Sequence, residues 1–340
     1  MKRQLVFQLL LQVVAAAFLV ADVRFVYSDE RTIEGAKKEG ALLLYSGIPI
    51  PDAKELLAAF QKKYPFIKTN HYRSRGAKLI SRIQAESRAG RNEWDVFNST
   101  GLEGYVLLEE GVFAKYDSPE RAFFPPGHKD NDGFWTTMYT TPMIATYNTE
   151  LVKARDVPKS YSDLLEPMWQ GKLALDPREI EWYANLRKIW GKEKTRGFFV
   201  GLTKQNILLR EGRTLLTQLL SAGEFSIVVN NYIQNVIEMK DKGAPIEWLF
   251  LDPVIESAGP IGINKSAPHR NAAKLFVDFS LSKEGQELLV KQGRSSARND
   301  VKGNPRDLIK SARLVPSDLR LGKHYVDYRK EYEQLLGVKK

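Results

Sequence analysis

The chain has 340 residues, 43% hydrophobic and 27% charged, with 51 Lys and Arg against 41 Asp and Glu, a net charge of +10, and no cysteine. That mix is globular, too apolar for disorder and too charged for a polytopic membrane protein, and the length suits two domains or one large α/β unit. Without cysteine there is no disulfide, thiolate nucleophile, Cys-ligated zinc or iron–sulfur cluster, or lipid-modified thiol. His71, His128, His269 and His324 show no HxH or HExxH spacing, so neither a metal site nor a cofactor is expected.

Residues 1–28 read as a cleavable export signal. Lys2 and Arg3 precede an apolar run from Leu5 to Ala21, and Val26-Tyr27-Ser28 offers a cut before Asp29. An uncleaved anchor is the alternative, because the run is near the short limit for a membrane span. Cleavage removes Lys2, Arg3, Arg24 and Asp22, which lowers the net charge from +10 to +8. The remaining basic residues interleave with acids and accompany no zinc finger or RNA-recognition signature. They predict a solvated surface and no nucleic-acid partner.

Beyond residue 40, short apolar strands alternate with amphipathic helices. Leu42–Tyr45 is a strand, and Pro51-Asp52 opens a helix with Leu56, Leu57 and Phe60 on one face. Ile67–His71 is the next strand, Ala77–Ala89 a helix, Trp94–Phe97 a third strand and Tyr105–Glu110 a helix, a βαβαβα pattern that implies parallel pairing. Phe134–Tyr147 reads as extended segments broken at Pro142, and Leu164–Trp169 as a short helix before a strand at Lys172–Leu175. Helices are expected at 180–191, 195–202 and 214–221, a strand at Phe225–Val229, a helix at Asn231–Lys242, and strands at Ile246–Leu251 and Gly259–Asn264. Helices at 268–281 and 283–292 follow, then a polar tail with an amphipathic stretch from Tyr325 to Leu336. With no Ser/Gly-rich linker between the two α/β units, the chain is expected to cross between lobes more than once and leave a cleft, where such folds place ligands.

Several strand ends carry polar groups suited to a ligand. Tyr45-Ser46-Gly47 and Asn98-Ser99-Thr100-Gly101 each lie between a strand and a helix, where backbone N–H groups and hydroxyls favour an anion, although helix capping uses the same residues. Asn230-Asn231-Tyr232 repeats this in the second unit, with Arg213 before another helix as a partner for a carboxylate or phosphate. Tyr139 and Tyr147 lie where the chain is expected to cross, and sheet packing competes as their role. Asp176, Glu179 and Glu181 form an acidic group after a strand, open to acid/base work or simply a solvated helix start. No GxSxG elbow, Walker loop or GxGxxG is present, so the chain is expected not to be an enzyme.

An ordered series of stretches resembles the type 2 solute-binding proteins of bacterial ABC importers, in the branch of ferric-iron, thiamine and phosphonate binders. It comprises Leu42–Gly47, Leu57–Pro65, Ala85–Arg91 with Trp94-Asp95-Val96, Thr146–Thr149, Ser160–Pro167 leading to Trp169–Leu173, Ala222-Gly223-Glu224 and Lys283–Gln286. The resemblance implies a two-lobe type 2 periplasmic binding protein fold with an interlobe cleft, each lobe a mixed sheet flanked by helices. Lobe one would comprise 40–140 plus 256–310, lobe two 141–255, and 311–340 a C-terminal helical tail. It implies a monomeric periplasmic protein that hands a small molecule or ion to a membrane permease. The implied ligand contacts are Tyr45, Ser46, Gly47, Asn98, Ser99, Thr100, Tyr139, Tyr147, Glu181, Arg213, Asn231 and Tyr232. Iron binders of the branch have adjacent tyrosines where this chain has Tyr232-Ile233, and Glu179-Ile180-Glu181 replaces the small residues of an anion cradle. Carboxylates there would repel a phosphate or carbonate, so a small organic solute, with a cationic part among the options, competes with iron. A secreted hydrolase using Asp176, Glu179 and Glu181, and an envelope sensor that kept the clamp, are the alternatives.

Overall fold

Side-chain alternation in the first strand sets the layering at one end of the molecule. In β1 (Ala41–Ser46), Leu42 and Leu44 enter one apolar cluster while Leu43 and Tyr45 enter another, because successive strand side chains point to opposite faces. The computed structural model describes residues 30–74, 76–99, 101–302, 308 and 311–338. The expected export signal and Thr100 lie outside the described residues. Among the described residues, no helix is long and apolar enough to cross a membrane.

A helix over 30–39, α1, precedes β1. After β1 come α2 (Ile50–Lys63), β2 (Lys68–Arg73), α3 (Ala77–Arg88), β3 (Val96–Asn98), α4 (Glu103–Glu109) and β4 (Phe113–Ala114). Pro51 at the start of α2, Asp52 in its first turn and Lys62 and Lys63 in its last suit the helix dipole. β1 pairs in parallel with β2 and β3, as the βαβ pattern requires.

The centre departs from expectation. β5 (Thr136–Asn148) is one continuous buried strand that runs through Pro142. Pairing of β5 with β8 (Ile227–Tyr232) begins only at Met143, so the N–H that Pro142 lacks is not required on that side. β10 (Val254–Asn264) starts five residues before the expected Gly259, and Glu256 and Ser257 are buried within it. Polar residues there suggest a loop, but Thr140 on β5 donates to Glu256 at 2.7 Å and keeps them in the ladder. β5 and β10 pair antiparallel along most of their length and join β1–β3 to the remaining strands, so the sheet is mixed.

Between β5 and β10 the chain forms two short 3-10 turns at Asp163–Leu165 and Pro167–Trp169, where one helix was expected. Then come β6 (Leu173–Leu175), α5 (Ile180–Trp190), α6 (Lys192–Lys204), β7 (Leu208–Leu209), α7 (Arg213–Ser221), β8, α8 (Ile233–Asp241) and β9 (Ile246–Leu249). Asn231 and Tyr232 end a strand and do not start the helix, because they pair with Ile144 and Met143 of β5. α9 (Arg270–Leu281) and α10 (Lys283–Lys291) return to the first half, where Phe276 and Phe279 pack on Phe60 of α2. Ser282 caps α10 by accepting from the Gly285 N–H at 3.2 Å. Ser282→Ala is expected to cost about 1 kcal/mol in a denaturant titration, and a loss below a few tenths would show that the cap contributes little.

The tail adds β11 (Leu314–Pro316), which pairs with β10, a 3-10 turn at Leu319–His324, and α11 (Tyr325–Leu336). α11 lies on α5 and α6. Tyr332 is fully buried between Tyr183 and Phe199, with ring centroids 5.3 and 5.4 Å away.

Candidate functional site

The segment after β6 lines a polar cavity. Asp176 follows the strand and is buried. Arg178 donates to it from Nε at 3.0 Å and from Nη2 at 2.9 Å, and the Gly212 N–H donates at 2.8 Å. Gly212 has φ 102°, a conformation side chains disfavour, which lets the turn before α7 bring that N–H onto the carboxylate. Burial raises the Asp176 carboxyl, but the hydrogen bonds and charges of Arg178, with help from Gly212 and Arg213, hold it below the ordinary value.

Arg213 opens α7 and pairs with Glu179, the residue before α5. The two side chains are 11% and 6% exposed, so this is a buried ion pair. The guanidinium carbon also lies 3.3 Å from the ring centroid of Tyr232, a stacked cation–π arrangement. Asn231 is fully buried and ties the end of β8 to α7 by donating to Thr217 Oγ1 at 2.9 Å, while its Oδ1 accepts from the Tyr232 N–H at 2.8 Å. It positions Tyr232 and does not line the cavity.

Glu181, in the first turn of α5, accepts from the Ser257 hydroxyl of β10 at 2.6 Å through Oε2. Its Oε1 is buried and has no hydrogen-bond partner. Burial pushes its carboxyl up from 4.5 to about 7, opposed by the nearby Ser257 and Ser317 hydroxyls.

These groups line a cavity of about 70 Å³. Arg178, Glu179, Ile180 and Glu181 form one wall, Arg213 and Tyr232 another, Gly101 and Leu102 before α4 a third, and Tyr325 from the tail completes it. Of the implied ligand contacts, Glu181, Arg213 and Tyr232 come together here, with Glu179 of the acidic group and Gly101 of the loop after β3. Sequence reasoning missed Arg178 and Tyr325. Arg178 carried a signal, a cation directly before an acidic pair at a strand end. Tyr325 carried none, because it reaches the cavity only through the docking of α11 on α5.

The other candidates lie elsewhere. The Tyr45 ring packs on Tyr72 and Trp94, and its hydroxyl donates to Glu86 at 2.9 Å and accepts from Arg82 at 3.0 Å. Burial, followed by Glu86, pushes its phenol up to about 12. Ser46 Oγ lies 2.9 Å from His71 Nε2 and accepts from the Ile48 N–H, and the Gly47 N–H donates to the Asn98 carbonyl. Asn98 Nδ2 donates to the carbonyls of Gly259 and Pro260 at 3.2 and 3.1 Å, so it fastens β3 to β10, and the neighbouring Ser99 is buried. Tyr139 packs beneath Gly259, where an added Cβ would lie 2.9 Å from Cζ of its ring. Tyr147 sits on β5 opposite Glu247, and its phenol is raised by burial and that carboxylate.

The acids at 179 and 181 do not present the expected repulsive charge. Glu179 is neutralised by Arg213, and burial favours the neutral form of Glu181. Asp176 and Glu179 are both committed to arginines, which leaves them poorly placed for acid/base work. Among the described residues, no three His, Asp or Glu side chains converge to hold a metal ion.

A model of the bacterial extracellular solute-binding protein family matches residues 106–318. An uncharacterized protein of Haemophilus influenzae is 27% identical over 275 residues, 76% of this chain and 78% of that protein. Iron uptake protein A1 of Synechocystis sp. is 25% identical over 266 residues, 73% and 72% of the two chains. Iron-bound HitA from Pseudomonas aeruginosa superposes with TM-score 0.77 at 22% identity, over 86% of this chain and 99% of HitA. AfuA from Actinobacillus pleuropneumoniae, with exogenous fructose-6-phosphate bound, superposes with TM-score 0.77 at 23% identity, over 88% and 99%. These likenesses establish the fold as that of the type 2 periplasmic binding proteins.

Proposed function

The chain belongs to the bacterial extracellular solute-binding proteins, and on that premise we propose that it is the periplasmic receptor of an ABC importer for a small organic anion. Lobe one (40–140 plus 256–310) and lobe two (141–255) would close on the solute, with 311–340 as a tail on the second, and deliver it to a permease. Hinge closure around a ligand is a common way for two-lobe proteins to bind. The observation that carries the reading is Arg213, buried on the face of Tyr232 and held by Glu179, with Arg178 on the same cavity. An incoming carboxylate or phosphate can share the guanidinium with Glu179 and gain charge-assisted hydrogen bonds. The phosphorylated sugar bound by AfuA belongs to this chemical class.

Ferric iron with a small anion is the second reading, favoured by the two phenols, Tyr232 and Tyr325, on one cavity. Against it stand the cation stacked on Tyr232 and the commitment of Glu179 to Arg213, since Fe(III) prefers several free anionic oxygens.

A thermal-shift panel separates the two readings. The protein is titrated with hexose phosphates, phosphonates, thiamine, polyamines, sugars, and Fe(III) with carbonate or citrate. An organic anion at 100 times its dissociation constant is expected to add about 2.7 kcal/mol of stability. An equal shift with Fe(III), accompanied by a visible tyrosinate charge-transfer band, would replace the organic anion with iron.

A further inference from the structure

We propose that the cavity is bipolar: Arg178 and Arg213 take the anionic end of the solute, and Glu181 Oε1 accepts a hydrogen bond from a hydroxyl or ammonium group at its other end. This rests on the reading of the cavity as the solute site. Glu181 is 7% exposed, lines the cavity, and holds Oε1 buried without a hydrogen-bond partner. A buried acceptor left unmade is unfavourable, and a donor carried by the solute relieves it.

The neighbours of Glu181 do not supply that donor. The Ser257 hydroxyl of β10 is spent on Oε2. In the tail, the Ser317 hydroxyl also faces this carboxyl but makes no hydrogen bond to Oε1; its Oγ accepts from Asn185 Nδ2 at 2.9 Å, and the same Nδ2 donates to the Glu181 backbone carbonyl. Arg178 is held by Asp176 and Glu211, and Arg213 by Glu179. Tyr232 and Tyr325 complete the polar groups around the cavity. The two arginines and Glu181 thus present opposite chemistry within about 70 Å³, which suits a solute whose two ends are separated by a short linker.

A pH signature follows. Burial raises the Glu181 carboxyl to about 7, and a donor against Oε1 favours the ionised form. Affinity for a bipolar solute therefore rises between pH 6 and pH 8 relative to an otherwise identical plain anion.

The test is calorimetric titration of the full chain with three matched probes, ethyl phosphate, 2-hydroxyethyl phosphate and phosphoethanolamine, at both pH values. Expressing each affinity relative to ethyl phosphate removes the titration of the phosphate itself. At pH 8 at least one bipolar probe is expected to bind tenfold or more tighter than ethyl phosphate, with a smaller advantage at pH 6, and which one wins identifies the donor as hydroxyl or ammonium. In Glu181→Gln the three probes are expected to fall within twofold of one another. Ethyl phosphate binding as tightly as both bipolar probes, or an advantage that survives in Glu181→Gln, overturns the inference and leaves the organic-anion reading standing. Failure of all three probes to bind overturns the inference, and the organic-anion reading falls with it only if no anion of the thermal-shift panel stabilises the protein.

Discussion

Glu181→Gln is expected to make the protein more stable than the parent at pH 8 and to leave it nearly unchanged at pH 4. The carboxyl sits at about 7 in the folded chain against an ordinary 4.5. At low pH both folded and unfolded chains hold the proton, and the group contributes nothing. As pH rises above the unfolded value, the folded state retains a proton that the unfolded state has lost, so unfolding becomes easier. The full penalty is reached once pH passes the folded value. The gap, at roughly 1.4 kcal/mol per pH unit, is on the order of 3 kcal/mol. Glutamine keeps an oxygen for the Ser257 hydroxyl and cannot ionise. Asp176 and Asp318 work in the opposite direction. Asp176 is held low chiefly by Arg178 against burial, and Asp318 by Arg320 and then Lys188. Both add stability above the ordinary carboxylate range that is lost in acid, but they are common to parent and variant and cancel. Urea titrations of the two proteins at pH 4 and pH 8 check the prediction, and a constant difference across both pH values would refute it. A buried acid that weakens the fold at neutral pH is readily understood as a site residue, since binding sites often keep groups that are unfavourable for folding alone.

The apolar runs made much of the architecture readable. Leu42–Tyr45, Ala77–Ala89 and the helices from 180 and 268 stand within a few residues of expectation because one buried face dictates their spacing. β5 and the start of β10 were misread because their buried residues are Thr, Glu and Ser, whose burial depends on a partner strand far away in sequence. The site shows the same limit. Arg213 and Tyr232 announce themselves at helix and strand ends, but nothing near Tyr325 marks it, since its place depends on Tyr332 lying between Tyr183 and Phe199. Tyr45 and Asn98 show the converse, residues of binding type that the fold uses to hold strands and helices together.

Arg213→Ala is expected to destabilise the protein by about 3–5 kcal/mol and to abolish the thermal shift given by any organic anion. The size of the stability loss comes from Glu179, 6% exposed, which would keep its charge in a buried place with its partner gone. Loss of the stack on Tyr232 adds to it. If the pair were only structural, removing both charges while keeping the volume should repair everything, so the double variant Arg213→Met, Glu179→Gln is the informative control. It is expected to recover most of the stability, because a buried ion pair replaced by neutral groups of similar volume is often neutral or stabilising. It should still fail to bind, because no guanidinium remains to meet the anion. Denaturant unfolding of the parent, Arg213→Met, Glu179→Gln and the double gives the coupling between the two residues directly. A loss under 1 kcal/mol for Arg213→Ala would mean that Glu179 finds water or another cation and that the pair is not the closed unit described here. Solute binding by the double variant would remove Arg213 from the recognition machinery and shift the anion subsite to Arg178 alone.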